Sequence, residues 1–128
     1  MVKNNSSEDY LESILMLHKR NGFARSVDVA RQLGVTKPSV CNAMKKLRGR
    51  NLVYLNDKGY IFFTDAGKVI AERIYRKHVL LKRILTGIGV NEETASKDAC
   101  GIEHVISDET YECLNDFFKA HMNIPVTE

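Results

Sequence analysis

The chain has 128 residues, of which 44% are hydrophobic and 27% charged, and its formal net charge is +3. This length suits one domain with a substantial core, or two small domains that share an interface. No apolar run approaches the roughly 18 residues of a membrane span, and the first residues lack the apolar core of a signal peptide, so we expect a cytoplasmic protein. The three cysteines, at positions 41, 100 and 113, are an odd number and do not form a disulfide framework.

The charge is distributed unevenly along the chain. Residues 24–58 contain eight basic and two acidic residues, whereas residues 89–128 contain nine acidic and two basic residues. A basic block of this kind is typical of proteins that bind phosphate groups. A solvated charged surface gives the same composition, so the interpretation depends on the fold that carries the charges.

Two short helices are predicted first in the chain. Ser6 and Asp9 have the spacing of a capping box, and the apolar period that follows predicts a helix to about Asn21. We expect Ser26 to cap a second helix and Gly34 to end it.

A third helix and a hairpin follow. Thr36 or Lys37 begins the helix, where Pro38 is tolerated because it falls in the first turn. Residues 52–55 and 60–63 are rich in β-forming side chains, and turn-forming residues separate them. Three helices followed by a hairpin predict a winged helix-turn-helix, which we assign to residues 1–70.

The second half of the chain predicts a helical module over residues 71–128. Three helices are expected, at about residues 65–86, 92–106 and 108–121, with caps at Thr64, Asn91 and Ser107. The fold class is therefore mainly α with a small β-hairpin. The second module is too small to stand alone comfortably and carries surplus apolar side chains, so we expect it to form a dimer interface.

Candidate metal ligands occur on three of these helices. Cys100, Glu103 and His104 occupy positions i, i+3 and i+4 of a predicted helix and would share one face. A thiol, a carboxylate and an imidazole are three metal-ligand types. The further candidates on other helices are Asp9, Glu12 and His78. Each has an ordinary explanation when taken alone, such as a helix cap, a surface acid or a core histidine. Cys41 and Cys113 have no such neighbours, and we expect them to be small buried hydrophobic residues.

The order of these features resembles the diphtheria-toxin-repressor and manganese-transport-regulator family of metal-dependent transcriptional repressors. The resemblance covers about residues 7–118 and rests on D-Y-L-E-x-I-x-x-L, a wing closed by T-x-x-G-K, R-K-H-x-L-L and C-G-I-E-H-x-I-S-D. It implies a homodimer that binds inverted-repeat operator DNA when it is loaded with a divalent transition metal. By position, it implies that all six candidates, Asp9, Glu12, His78, Cys100, Glu103 and His104, are metal ligands, and that metal ties the two halves of the chain together.

Two departures make the implied site a hybrid of two family branches. The manganese branch has Glu where this chain has Cys100, and the iron branch has Met where it has Asp9. The resemblance implies that the ancillary site of the iron branch is lost apart from His78, because Lys82 and Ser96 replace its acid and its histidine. Carboxylates and imidazoles suit Mn²⁺ and Fe²⁺, and a thiolate favours Fe²⁺, Co²⁺ or Zn²⁺ over Mn²⁺. We therefore expect Fe²⁺ or Mn²⁺, with iron favoured, and Co²⁺ or Zn²⁺ as possible substitutes in vitro.

The third helix is the predicted DNA-reading element. The resemblance implies base contacts from Thr36, Pro38 and Asn42, and an asparagine can pair bidentately with adenine. Basic side chains would hold phosphates, and a lysine at the wing tip could enter the minor groove. The full predicted DNA-binding set is Arg25, Thr36, Lys37, Pro38, Ser39, Asn42, Lys45, Lys46 and Lys58.

Two alternatives remain open from the sequence. The first is a winged-helix regulator without metal control, in which the C-G-I-E-H segment is core. The second is a metal-dependent hydrolase, which would need an open coordination position and a nearby base. The sequence contains no H-E-x-x-H motif, so we expect no enzymatic activity.

Overall fold

The computed structural model describes residues 7–121. In that range it contains six α-helices and one two-stranded antiparallel sheet, so the predicted fold class is confirmed. The elements are α1 Ser7–Asn21, α2 Ser26–Leu33, α3 Lys37–Gly49, β1 Val53–Leu55, β2 Ile61–Phe63, α4 Asp65–Gly87, α5 Glu92–Ile102 and α6 Asp108–His121. The capping role predicted for Ser6 lies outside the described residues. None of the described helices combines the length and the apolar character that crossing a membrane requires.

The chain divides into two compact units, residues 1–72 and 73–128, and the boundary falls inside α4. In the first unit α1, α2 and α3 pack against one another, and β1 packs against α3. Their inward side chains are almost fully buried because the apolar positions recur with the helical period. The largest of them are Leu11, Ile14, Val29, Val40, Leu47 and Ile61. The functional division predicted at residue 70 stays a prediction.

The turn between α2 and α3 has the expected chemistry. Gly34 ends α2 in the left-handed region at φ 68°, which glycine adopts without a steric penalty. Thr36 is the N-cap of α3, and its Oγ1 accepts a hydrogen bond of 3.2 Å from the backbone N–H of Ser39. These two residues fix the entry of α3, the helix predicted to read DNA.

The start of α2 differs from the prediction. The N-cap is Arg25, and Ser26 is the first helical residue. The Asp28 carboxylate accepts hydrogen bonds from the backbone N–H of Arg25 at 3.2 Å and from its Nε at 3.0 Å. Asp28, the third residue of the helix, thus satisfies the backbone N–H of the N-cap Arg25, as the acid of a capping box does.

The two strands of the hairpin are antiparallel, and Val53 pairs with Phe63 and Leu55 with Ile61. Within its turn, the side-chain oxygen of Asn56 accepts hydrogen bonds from two backbone N–H groups. His18 of α1 lies 2.8 Å from the carbonyl oxygen of Ile61 through its Nε2. The wing is therefore tied to the first helix by a side-chain contact as well as by packing.

The T-x-x-G motif after the hairpin fixes the start of α4. The Thr64 Oγ1 accepts a hydrogen bond of 3.1 Å from the N–H of Gly67 and donates one of 2.8 Å to the carbonyl of Asn51. The Thr64 N–H donates to the carbonyl of Leu52 at 3.0 Å. A Cβ atom at Gly67 would lie 1.9 Å from that same Leu52 oxygen. The motif thus combines a cap with a close backbone approach that only glycine permits.

The second unit contains the rest of α4 with α5 and α6. Its buried apolar side chains come from α4 and α5 and are Ile74, Leu80, Leu81, Ile84, Ala95 and Ala99. Asn91 caps α5 and Ser107 caps α6, as predicted. By contrast, α6 has no buried residue in the described chain, and its Phe117 is half exposed.

The predicted end of α5 and the predicted burial of Cys41 and Cys113 are wrong. Helix α5 ends at Ile102, four residues before the predicted end, so Glu103 is its C-cap and His104 lies in the following turn. Gly101 occupies the last turn, where glycine weakens a helix.

The thiols of Cys41 and Cys113 are exposed rather than buried. Cys41 lies on the outer side of α3, and Cys113 lies on α6, which buries none of its residues.

Candidate metal centre and nucleic-acid interface

A buried carboxylate forms the centre of the polar cluster in the second unit. The side chain of Glu103 has no exposed surface. Its Oε1 accepts a hydrogen bond of 2.8 Å from the Nδ1–H of His78, and its Oε2 lies 3.3 Å from the Nε2 of His104. Burying a carboxylate is costly unless it is paired. Two imidazoles on one buried carboxylate therefore mark a specialised polar site.

The thiol of Cys100 belongs to the same part of the second unit. Cys100 is half-buried on the last full turn of α5, and its Sγ lies within 4.8 Å of a ring nitrogen of His104. Four of the six predicted ligands thus form a series of three contacts. His78 contacts Glu103, Glu103 contacts His104, and His104 lies close to Cys100. Oxygen, nitrogen and sulphur donors of this kind fit a divalent transition ion such as Fe²⁺, Co²⁺ or Zn²⁺.

The other two predicted ligands lie in the first unit. Asp9 and Glu12 are one turn apart on α1, and each has a carboxylate oxygen within 4.8 Å of the other's. Glu12 is 4% exposed, so it is not the solvated surface acid that a glutamate taken alone would suggest. Two close carboxylates, one of them buried, supply the hard oxygen donors that divalent cations favour.

The predicted DNA-binding positions of α3 are all on the surface. Exposed side chains follow the outer face of this helix from its first turn to its last, and the predicted members are Thr36, Lys37, Pro38, Ser39, Asn42, Lys45 and Lys46. Acidic residues are absent from its first turn and basic residues occupy its last turn. Thr36 and Ser39 also bond to each other through their hydroxyls at 3.0 Å. Lys58 is exposed on the hairpin turn.

Arg25 has a structural role that the sequence did not predict. Its Nε and Nη2 contact the two carboxylate oxygens of Asp28 at 3.0 and 3.3 Å, and its guanidinium lies 5.5 Å from the ring centroid of Phe23. The hydrogen bond from Arg25 lowers the pKa of the Asp28 carboxyl below its usual value, against the effect of burial. Arg25 is still exposed, so it is held at the surface in a fixed orientation.

One buried residue near the candidate centre has no distinctive signal in the sequence. Lys77, which precedes His78 on α4, is 9% exposed. Its Nζ donates to the carbonyl of Ile106 at 3.2 Å and lies 3.1 Å from the Asp108 carboxylate. The only signal in the sequence was a lysine next to a histidine on an apolar stripe, and surface lysines produce the same signal.

A winged helix-turn-helix with an exposed basic reading helix defines a DNA-binding regulator. A second unit with oxygen, nitrogen and sulphur donors grouped around a buried carboxylate adds the features of metal control. Two family models match the chain in the same order. The "iron dependent repressor, N-terminal DNA binding domain" matches residues 4–60, and the "iron dependent repressor, metal binding and dimerisation domain" matches residues 64–125.

Individual relatives agree with these matches. The chain is 39% identical over 112 residues to the HTH-type transcriptional regulator MntR of Geobacillus thermodenitrificans, covering 87% of this chain and 79% of the relative. It is 34% identical over 114 residues to the transcriptional regulator MntR of Escherichia coli O6:H1, covering 89% and 74%. The chain belongs to the iron-dependent repressor family, whose members are metal-dependent transcriptional regulators and not enzymes.

Solved structures show the same fold. The crystal structure of T. acidophilum IdeR matches with a TM-score of 0.80 and 28% identity, and covers 91% of this chain and 55% of that one. The structure of the manganese regulator SloR matches with a TM-score of 0.78 and 28% identity, over 98% and 56%. The chain therefore spans little more than half the length of these solved proteins.

Proposed function

We propose that this chain is a metal-activated repressor that binds inverted-repeat operator DNA as a homodimer in the cytoplasm. The observation that carries the proposal is the buried Glu103 carboxylate with His78 and His104 at 2.8 and 3.3 Å. The exposed basic face of α3 in the first unit supports the DNA-binding half of the proposal. The iron-dependent repressor family model for the metal binding and dimerisation domain and the manganese regulator SloR support metal control, and Fe²⁺ and Mn²⁺ are the proposed activators.

The proposed ligands in the second unit are His78, Cys100, Glu103 and His104. A divalent ion bound there would supply positive charge that holds the carboxylate, the thiolate and the imidazoles in a single arrangement. Glu103 would orient both imidazoles, because one carboxylate contacts each ring and so restricts its rotation. Cys100 contributes the soft donor, which binds metal only as the thiolate.

We further propose Asp9 and Glu12 as ligands. The support is the resemblance of D-x-x-E to the family motif and the burial of Glu12 at 4% exposure. Metal ligands on the first helix of the DNA-binding unit would link metal binding to DNA binding. A coupling free energy of roughly 1–3 kcal/mol is typical of such linkage.

On the DNA side, we propose that Thr36, Pro38 and Asn42 read base edges and that nearby basic residues hold phosphates. The N-terminal residues of a recognition helix are those that reach base edges in the major groove. The remaining proposed contacts are from Arg25, Lys37, Ser39, Lys45, Lys46 and Lys58. Their exposure supports this role.

Homodimer formation is proposed for the second unit. Helix α6 buries none of its described residues, and Val105 and Phe117 are 79% and 52% exposed. A large apolar surface on a small unit is typical of an interface. The family model for residues 64–125, a metal binding and dimerisation domain, supports the same conclusion.

The test is DNA binding measured with and without metal. Operator fragments selected by the purified protein from random duplexes would be titrated in chelator, Mn²⁺, Fe²⁺ under anaerobic conditions, Co²⁺ and Zn²⁺. We expect tight binding only with metal, and we expect Glu103→Gln to lose both metal content and metal-dependent DNA binding. Equal DNA affinity in chelator and in every metal would refute metal control and would favour a winged-helix regulator without it.

A further inference from the structure

We infer that Lys77 is a positioning residue for the metal ligands, a role that rests on the proposed metal site of the second unit. Lys77 does not itself coordinate metal. Its ammonium joins α4, which carries His78, to the segment after α5, which carries Glu103 and His104. We call this connection the joint. It holds the ligands of the two segments at a fixed separation before metal binds.

The geometry of the joint is specific. The Lys77 Nζ donates a hydrogen bond of 3.2 Å to the carbonyl oxygen of Ile106 and lies 3.1 Å from Asp108 Oδ1. Ile106 lies two residues after His104, and Asp108 is the first residue of α6. One side chain of α4 thus holds both the end of the ligand-bearing turn and the start of the next helix.

The burial of Lys77 indicates that its ammonium has a specific structural role. The Lys77 side chain is 11% exposed, whereas the Asp108 side chain is 68% exposed. Removing an ammonium group from water is costly unless it gains partners, and an apolar residue would fill the same volume without that cost. The ammonium is therefore explained by the backbone carbonyl and the carboxylate that it holds.

The backbone of the turn that Lys77 holds makes short-range hydrogen bonds, and the Glu103 side chain adds one contact to His78 of α4. Helix α5 ends at Ile102, and Val105 and Ile106 donate their N–H groups back to the Ile102 carbonyl at 3.0 and 3.2 Å. Glu103, the C-cap of α5, keeps its N–H bond to the Ala99 carbonyl at 2.9 Å, and His104 follows in the turn after the helix. A bond from α4 to the end of this turn limits how far the two ligands can move away from His78.

The experiment compares Co²⁺ binding by four proteins: wild type, Lys77→Met, Lys77→Arg and Lys82→Met. Lys82 is the matched control, because it lies on the same helix and pairs with Glu92 of α5 at 3.5 Å. Its loss removes the same charge and also an ion pair between helices. Co²⁺ affinity would be measured by titration of its visible absorption, and folding by far-ultraviolet circular dichroism.

We expect Lys77→Met to weaken Co²⁺ binding by about 10- to 100-fold, the usual effect of losing a residue that orients metal ligands. Its cobalt absorption bands should shift, because the ligands are held differently. Lys77→Arg should recover part of the affinity, since a guanidinium can donate to the same carbonyl and carboxylate. Lys82→Met should match the wild type in affinity and spectrum.

Wild-type affinity and an unshifted spectrum in folded Lys77→Met would overturn the inference and leave the proposed function intact. An equal loss in Lys82→Met would also overturn it, because charge alone would then explain the effect. If Lys77→Met does not fold, Asp108→Asn replaces it, with a smaller loss expected and an unchanged affinity and spectrum overturning the inference. Failure of the wild type to bind Co²⁺, Fe²⁺ or Mn²⁺ would refute the proposed function itself.

Discussion

Replacing Gly67 by alanine should destabilise the first unit, whatever metal is present. An alanine Cβ would lie 1.9 Å from the carbonyl oxygen of Leu52, whereas real Cβ atoms essentially never come within 3.0 Å of another heavy atom. The obstacle is backbone, so no side-chain rotation can relieve it. Either the start of α4 or the segment around Leu52 must move by about 1 Å, as overpacked sites do.

The expected cost follows from three contributions. Overpacking of a tight site costs about 1–3 kcal/mol. The movement also strains the hydrogen bond from the Thr64 N–H to the Leu52 carbonyl, which is worth about 0.5–1.5 kcal/mol. Alanine recovers up to about 1 kcal/mol, because it is a better helix former than glycine. The net loss should be about 1–3 kcal/mol, which corresponds to a fall in Tm of roughly 4–11 °C for a chain of this length.

The assay is thermal and urea unfolding in chelator, with Gly49→Ala as the matched control. Gly49 is also helical, and nothing lies within 4 Å of a Cβ built there. Gly49→Ala should leave the free energy of unfolding unchanged or raise it by up to about 1 kcal/mol. A Gly67→Ala protein as stable as Gly49→Ala would refute the reasoning, because the close approach to Leu52 would then have no cost.

Three further predictions concern metal, DNA and pH. Cys100→Glu should still bind DNA in Mn²⁺, but its activation by Fe²⁺, Co²⁺ or Zn²⁺ relative to Mn²⁺ should fall, since only the soft donor is lost. Cys113→Ser should leave the metal ranking unchanged, and an unchanged ranking in Cys100→Glu would mean that this thiol only packs. Asn42→Ala should reduce the preference for operator over random DNA, whereas Lys45→Ala should weaken binding to all sequences and lower the salt slope; intact discrimination in Asn42→Ala would contradict the assignment. Asp28 has a folded pKa below its ordinary 3.8, so its contribution to stability is present above that pH and is lost as pH falls through the folded pKa. The stability advantage over Asp28→Asn in urea unfolding should therefore shrink below about pH 4, and an advantage independent of pH would contradict this.

Local signals in the sequence predicted most of the fold. The caps at Thr64, Asn91 and Ser107 and the stop at Gly34 depend on neighbours within a few residues, and the structure has each of them. The start of α2 was predicted one residue late, because a serine cap and an acid three positions on compete for similar backbone donors. The end of α5 was predicted too late, because the apolar period continues to Ile106 after the helix has ended.

The interactions that the sequence did not predict are those between distant residues. The close approach of Gly67 to Leu52 depends on how the hairpin returns to α4, and no periodicity encodes it. The joint from Lys77 to Ile106 spans 29 positions, and a buried lysine looks like a surface lysine in sequence. The exposure of Cys41 and Cys113 was predicted wrongly, because cysteine is usually buried and only the packed structure shows which face of each helix is covered.

The exposed thiol of Cys41 gives this chain a chemical reporter of its own. Cys41 precedes Asn42 on the outer face of α3, so bound duplex would shield it from a maleimide or iodoacetamide reagent. Cys113 is exposed in the second unit and would record the reagent's reactivity on the same molecule. The ratio of labelling at the two thiols, read by mass spectrometry, would measure operator occupancy without any introduced dye. Oxidation of Cys41 to a sulfenic acid or a glutathione adduct would add bulk to the outer face of α3, which is the proposed contact surface for DNA.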